Sequence, residues 1–433
     1  MNVAIRRCVF VAALTLRAML AYGQDELGPY ERYQRGIAAL EAKDAARALP
    51  DLEAAAFFFR RDPDVLSALA KARALTGDAD GATAALSRAV ALGYGAGADT
   101  DPAFGSLADR PAFRALLPSI VANGRPVGSA RVAFTLNEAD LIPEGIAWDP
   151  GTRRLFVGSL AKNKIVAISP DGRVSDFVPS GRDGLQRVLG MKVDAARKSL
   201  WVCSAEADAP GGSKTRASTL FRFDLATGKT LRKIPSPPGG THLFNDIAIE
   251  KDGGLFLTDS EEGTVYRLRA GRDALEVFQA PGRFFYPNGI ALSDDGRFLY
   301  VAHVLGVSAW ELGIGRSADG VGAVTFDLPS PDDVTLVGID GLSFHRGGLV
   351  AVQNGMEPNR VASFPLAPSL DRVTGDRVLE RGNKSFEIPT TGAVAGNSYY
   401  VIANAQLRSL GPEGVKDPEK RKPVVILEID LPR

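Results

Sequence analysis

Histidine and cysteine are nearly missing from this chain of 433 residues, with three of the first and two of the second. Cys8 falls in a candidate leader, so the mature chain would keep only Cys203 and no internal disulfide could support its fold. Cys203 closes the apolar run Leu200-Trp201-Val202-Cys203 and reads as a buried core residue rather than a nucleophile. An excess of either charge is lacking too. Lys plus Arg and Asp plus Glu stand at 51 each, which argues against nucleic acid and anionic lipid as partners. No stretch approaches about 20 consecutive apolar residues, so no membrane span is expected. The nearest one begins at Cys8, follows two arginines and ends in Ala21-Tyr22-Gly23. It reads as a secretory signal over residues 1–23, with a secreted or periplasmic location.

Two different periodicities follow. A helical domain is expected over residues 24–120: from Glu31 to about Leu92 the spacing is helical with many alanines, and Ala46, Ala48-Leu49, Leu52 and Ala55 are echoed by Ala82, Ala85-Leu86 and Ala89. Small residues at such positions let helices approach closely, as in helix-pair repeats of the tetratricopeptide kind. Asp62-Pro63 and Asp101-Pro102 read as helix stop or restart signals, and residues 111–120 as one more short helix. About two repeats give a small groove, which serves a protein partner or a spacer role equally well. A linker over 121–130 carries Gly124, Pro126 and Gly128.

From residue 131 to 433 the chain alternates apolar strands with Asp-Gly and Gly-rich turns such as Ser169-Pro170-Asp171-Gly172-Arg173. Six strands open on similar corners: Glu144-Gly145-Ile146, Leu189-Gly190-Met191, Asn245-Asp246-Ile247, Asn288-Gly289-Ile290, Asp340-Gly341-Leu342 and Thr391-Gly392-Ala393. Their intervals of 45, 56, 43, 52 and 51 residues are those of four-stranded propeller blades. The expected fold is an all-β six-bladed propeller preceded by a small all-α helix-pair repeat domain. The first blade is expected at 144–149, 153–160, 163–168 and 173–178. The last blade has residues for only three strands, so 131–136 should supply its fourth and close the ring.

Innermost strands of a propeller begin around one channel, so Glu144, Asn245, Asn288 and Asp340 should converge there as an oxygen-donor site. Calcium, which takes six to eight oxygens, is the first expectation, with other divalent cations compatible. The second strands end at the same mouth, with Ser159, Ser204, Asp259, His303, Asn354 and Asn404, and with Gln353 as the alternative to Asn354. Imidazole suits proton transfer near neutral pH, which makes His303 a candidate acid or base. His242 precedes Asn245 by three residues and is placed at the entrance, whereas His345 falls in a turn at the opposite face.

The corners Pro143-Glu144-Gly145, Asn245-Asp246, Pro287-Asn288-Gly289 and Ile339-Asp340-Gly341, in this order and period, resemble those of the senescence-marker-protein/gluconolactonase family of calcium-dependent propellers. The resemblance covers about residues 130–433. It implies that Glu144, Asn288 and Asp340 bind calcium, that Asn245 is a further ligand or a substrate contact, and that Asp340 is the base or nucleophile. His242, Asp259 and Asn404 are placed with Asn245 as substrate contacts. Sugar-lactonase members tend to carry Arg where this chain has Leu243, which argues against gluconolactone itself. Phe244, Phe284, Phe285 and Tyr286 suggest a more apolar substrate.

The leading expectation is a secreted calcium-dependent hydrolase of a lactone or other ester, acting on a small molecule at the channel. The alternative is a non-catalytic binding module, with a structural calcium and a protein partner on residues 24–120. A metal-free synthase or lyase would have no use for the ring of ligands.

Overall fold

The computed structural model describes residues 27–207, 216–313, 325–411 and 414–432. The candidate signal over residues 1–23 lies outside the described residues. Among those described, no helix is long and apolar enough to cross a membrane. The chain divides into two compact units.

Among the described residues, the first unit comprises those up to Val127 with Ser330–Gly338 and Gly355–Pro358. Its helices are Pro29–Glu41 (α1), Ala45–Phe58 (α2), Pro63–Leu75 (α3), Ala79–Ala91 (α4) and Pro111–Gly124 (α5). Aspartates start three of them, because a carboxylate can take the backbone N–H groups that a first turn leaves unbonded. Asp44 accepts from Arg47, Asp78 from Gly81, and Asp62 from both Asp64 and Val65, with Pro63 opening α3. Asp101 does the same for a short 3-10 helix at Pro102–Leu107. Most of the echoed residues face inward: Ala48, Leu52 and Ala55 on α2, and Ala82, Ala85, Leu86 and Ala89 on α4, are buried, whereas Leu49 is half-buried and Ala46 exposed. Asp51 on α2 is also buried and receives Arg35 of α1 in a two-pronged ion pair at 2.5 and 2.6 Å. Later chain segments complete this unit. Val337 and Met356 join Leu66, Ala89, Leu92 and Tyr94 in one cluster, and Thr335 donates a 2.7 Å hydrogen bond to the carbonyl of Arg61. Helix α5 runs to Gly124, into the stretch expected as a linker.

The second unit is the six-bladed propeller, each blade a four-stranded antiparallel sheet. The innermost strands are Pro143–Asp149, Arg187–Asp194, Phe244–Ile249, Ile290–Leu292, Ile339–His345 and Gly392–Ala395. The first blade continues with Arg154–Ser159, Ile165–Ile168 and Val174–Val178, close to the spacing read from the sequence. The sixth blade takes Arg131–Leu136 as its outer strand, paired antiparallel with Val424–Asp430, so the two ends of the propeller chain meet in one sheet. Closure removes the free edges that the first and last strands would otherwise expose. The hairpin turns at 169–173 and 293–297 share one design. Gly172 and Gly296 take φ of 84° and 75°, a region open to glycine, and each donates a 2.8 Å hydrogen bond to the serine that opens the turn. Between neighbouring blades the core is aromatic and aliphatic, with Phe156, Phe221 and Phe223 fully buried between the first and second.

Around the axis the corners touch one another. A β-carbon on Gly145 would strike the carbonyl of Leu189, one on Gly190 the carbonyl of Asn245, one on Gly289 the carbonyl of Asp340, and one on Gly341 the backbone of Thr391. The hydroxyl of Thr390 donates to the carbonyl of Glu144 at 3.1 Å, which joins the sixth blade to the first. The recurring glycine therefore permits backbone contact between successive blades. In the third blade the position is Asp246, whose carboxylate accepts the N–H of Ile290 at 3.2 Å and makes the same junction through a side chain.

Gly145→Ala is expected to lower stability by about 1–3 kcal/mol through overpacking, seen as a reduced midpoint of thermal unfolding. An unchanged midpoint would show that the first and second corners can separate freely.

Candidate metal centre

The corners are β-bulges. In the first blade Pro143 pairs with Ser159 and Ile146 with Val157, so Glu144 and Gly145 together oppose the single residue Gly158. The same arrangement sets Leu189 and Gly190 against Cys203, Asn245 and Asp246 against Thr258, and Asp340 and Gly341 against Val352. In the fourth blade Asn288 donates its N–H to the carbonyl of Ala302, and Ala302 donates its own to Gly289, both at 2.8 Å. A bulge re-aims a side chain out of the strand's alternation. Here the first corner residue of the first, third, fourth and fifth blades lines the axial cavity, whereas Leu189 of the second packs into the core.

Glu144, Asn245, Asn288 and Asp340, drawn from four blades, line one cavity with Lys192 and Asp246. Its volume is about 10 Å³, room for one occupant the size of a water molecule. Asn288 donates its side-chain N–H to Asp340 Oδ1 at 2.8 Å, and Asn354 donates to Asp340 Oδ2 and, at 2.9 Å, to the carbonyl of Pro389. Asn245 donates from Nδ2 to Ser260 Oγ at 2.9 Å, and that hydroxyl donates to the carbonyl of Pro287 at 2.6 Å. The amide of Asn245 is thus held by its nitrogen end. Glu144 is 4% exposed, and its Oε2 is buried without a hydrogen-bond partner.

Such an arrangement is costly without a cation. Burial, then the charges of Asp340 and Asp246, push the Glu144 pKa well above the carboxylate range. Burial likewise raises Asp340 to about 7, although the hydrogen bonds from Asn354 and Asn288 pull the other way. An orphaned buried carboxylate oxygen, a second carboxylate, two amides and room for one atom fit a hard divalent cation. No group of three or more His, Cys, Asp or Glu side chains arranged to hold a metal occurs among the described residues. An ion here would therefore take part of its coordination from amide oxygens, which suits calcium better than zinc.

The remaining candidates are elsewhere in the mouth. His242 lies 2.6 Å from Asp259 through Nδ1 and 2.9 Å from the carbonyl of Gly239 through Nε2. Burial lowers its pKa, but the Asp259 hydrogen bond and charge outweigh this and leave it raised. Asp259 also accepts the N–H of Leu243 at 2.9 Å, so the pair fixes the backbone leading into the Asn245 corner. His303 is not among the residues lining the cavity. Its Nδ1 accepts the N–H of Leu305 at 3.3 Å, and its Nε2 is 3.1 Å from Ser308 Oγ, which donates to Asp327 at 3.0 Å. Buried beside Phe284, its pKa falls to about 4, which keeps the imidazole neutral. Asn404 spends both ends of its amide on the closing blade, accepting from Val425 at 2.7 Å and donating to Pro423 at 2.9 Å. Ser159 and Ser204 accept the N–H groups of Lys162 and Gln186 at 2.8 and 2.9 Å. Most of the second ring thus anchors loops, and Asn354 is its member that touches a cavity residue.

Two cavity residues escaped the sequence reading. Asp246 stands where all five other corners have glycine, and Lys192 follows Gly190 by two residues. The expected aromatic mouth is corrected in part. Phe244 and Phe284 are buried in the core against Tyr266 and Trp310, whereas Phe285 is exposed.

A six-bladed propeller with an acidic, ion-sized cavity on its axis defines the class. Residues 142–350 match the SMP-30/Gluconolactonase/LRE-like region, so this part of the propeller is similar to that family. Similar solved structures include a gluconolactonase from Xanthomonas campestris, 19% identical, with a TM-score of 0.48 over 72% of this chain and 93% of that one. A luciferin-regenerating enzyme is 14% identical, with a TM-score of 0.48 over 71% and 95%. Regucalcin, a calcium-binding protein from Agrobacterium tumefaciens, is 15% identical, with a TM-score of 0.45 over 70% and 96%. No curated protein matches the chain.

Folding raises the pKa of both Glu144 and Asp340, so their contribution favours the metal-free fold at low pH and is lost as pH climbs through about 7. In chelator-treated protein, the urea midpoint relative to that of Asp340→Asn should fall between about pH 5 and about pH 8. A difference that stays flat, or rises, would contradict the burial of these charges.

Proposed function

We propose that this protein is a secreted, calcium-dependent hydrolase of a lactone or other ester, acting at the axial cavity. The observation that carries the reading is the Glu144, Asn245, Asn288 and Asp340 wall around a space for one ion, in a gluconolactonase-like propeller. Secretion is supported by the charged and then apolar N-terminal sequence.

Glu144, Asn288 and Asp340 would hold the ion, and Asn245 would be a fourth ligand or a contact to substrate. When bound, a divalent cation supplies the positive charge that polarises a carbonyl and favours the negative charge developing on its oxygen. Asp340 would accept the proton of an attacking water at Oδ1 or Oδ2, a role supported by its carboxylate standing in the cavity wall. Asn288 and Asn354 keep that carboxylate oriented by holding one oxygen each. The His242–Asp259 pair would act from the entrance by fixing the backbone before Asn245. With Leu243 in place of a guanidinium, the mouth offers less to a densely hydroxylated sugar lactone than to a simpler ester or lactone.

Hydrolysis of a panel of lactones and aryl esters should appear with calcium and vanish on chelation. Glu144→Gln should lower kcat/KM by at least about 100-fold, in the range for loss of an electrostatic catalytic group. Turnover that ignores the chelator and persists in Glu144→Gln would end this reading.

A further inference from the structure

The cavity wall carries one cation that the proposed chemistry does not use. Lys192 lies on the innermost strand Arg187–Asp194, half-buried, and lines the cavity with Glu144, Asp246 and Asp340. Asp246 is committed to the backbone: Oδ1 accepts the N–H of Ile247 at 2.8 Å and Oδ2 that of Ile290 at 3.2 Å. It is thus poorly placed to serve as a ligand, yet its charge acts on both Glu144 and Asp340. Lys192 is the charged group that opposes Asp246. Three carboxylates against one ammonium leave two negative charges when all four groups are ionised, the charge that one divalent cation balances. Without the ammonium the wall would carry three.

We propose that Lys192 is the charge-matching residue of this cavity: by offsetting Asp246 it sets the wall to receive a divalent ion and to disfavour a trivalent one of similar size. The inference rests on the cavity being an ion site. Its physical basis is that repulsion between a fixed ammonium and a bound ion grows in proportion to the ion's charge. A lysine beside a cation site therefore weakens binding overall, and weakens trivalent binding more. The same residue limits how much uncompensated negative charge the metal-free cavity must bear.

Calorimetric titration of the full chain with calcium chloride and with terbium chloride tests this directly. Lys192→Met removes the charge at similar length and should tighten calcium by about tenfold and terbium by a larger factor. Lys192→Arg, which keeps the charge, should follow the wild type in the ratio of the two affinities. Lys192→Gln serves as a second neutral variant, and the rise in thermal midpoint from chelator to saturating calcium should be larger in both neutral variants than in the wild type. Neutral variants that bind calcium and terbium with an unchanged ratio would overturn the proposal while leaving the ion site standing. A wild type that binds neither ion would overturn both, since Lys192 would then have no ion to match.

Discussion

Negative charge gathered on a buried axis is the constraint to which the rest of the propeller answers. Glu144, Asp246 and Asp340 line a space for a single atom, and burial alone makes their joint ionisation unfavourable. Such groups persist only where the backbone holds them, and here it does so through corners that bond or abut from blade to blade. The glycines, the Asp246 carboxylate and the Thr390 hydroxyl are three solutions to one problem of close approach. Closure of the sixth blade by Arg131–Leu136 keeps that ring from opening.

Around this centre the polar residues divide by what they bond. Asn288 and Asn354 grip Asp340, and Ser260 orients Asn245. Asp259, Ser159 and Ser204 instead take backbone N–H groups of loops at the mouth, and Asn404 takes that of Val425 in the closing blade. His303 belongs with the second kind, since both ring nitrogens are engaged and its neutral form is favoured by burial. A polar residue at the end of a second strand is therefore more often a loop anchor than a group facing substrate.

The corners were legible because the propeller repeats. A Glu, two Asn and an Asp at equivalent points of a regular array are visible without coordinates, and so is the missing fourth strand of the last blade. Asn354 was harder to separate from Gln353, because a one-residue change of register reverses the face a strand residue occupies. Asp246 and Lys192 were hidden for a related reason. Asp246 is the second residue of its corner and Lys192 lies inside a strand, and neither position by itself places a side chain on the axis. Phe244 and Phe284 were read as mouth residues from their nearness in sequence to Asn245 and Asn288, whereas strand geometry turns them into the core.

By itself the sequence determined the number of blades, their closure and the four side chains that open the innermost strands, because period and hydrophobic alternation are local properties of the chain. Only the tertiary structure decided which oxygens share one atom-sized space and which charges oppose them there. That depends on bulges and on the contact of one corner with the next, which bring together residues nearly 200 positions apart.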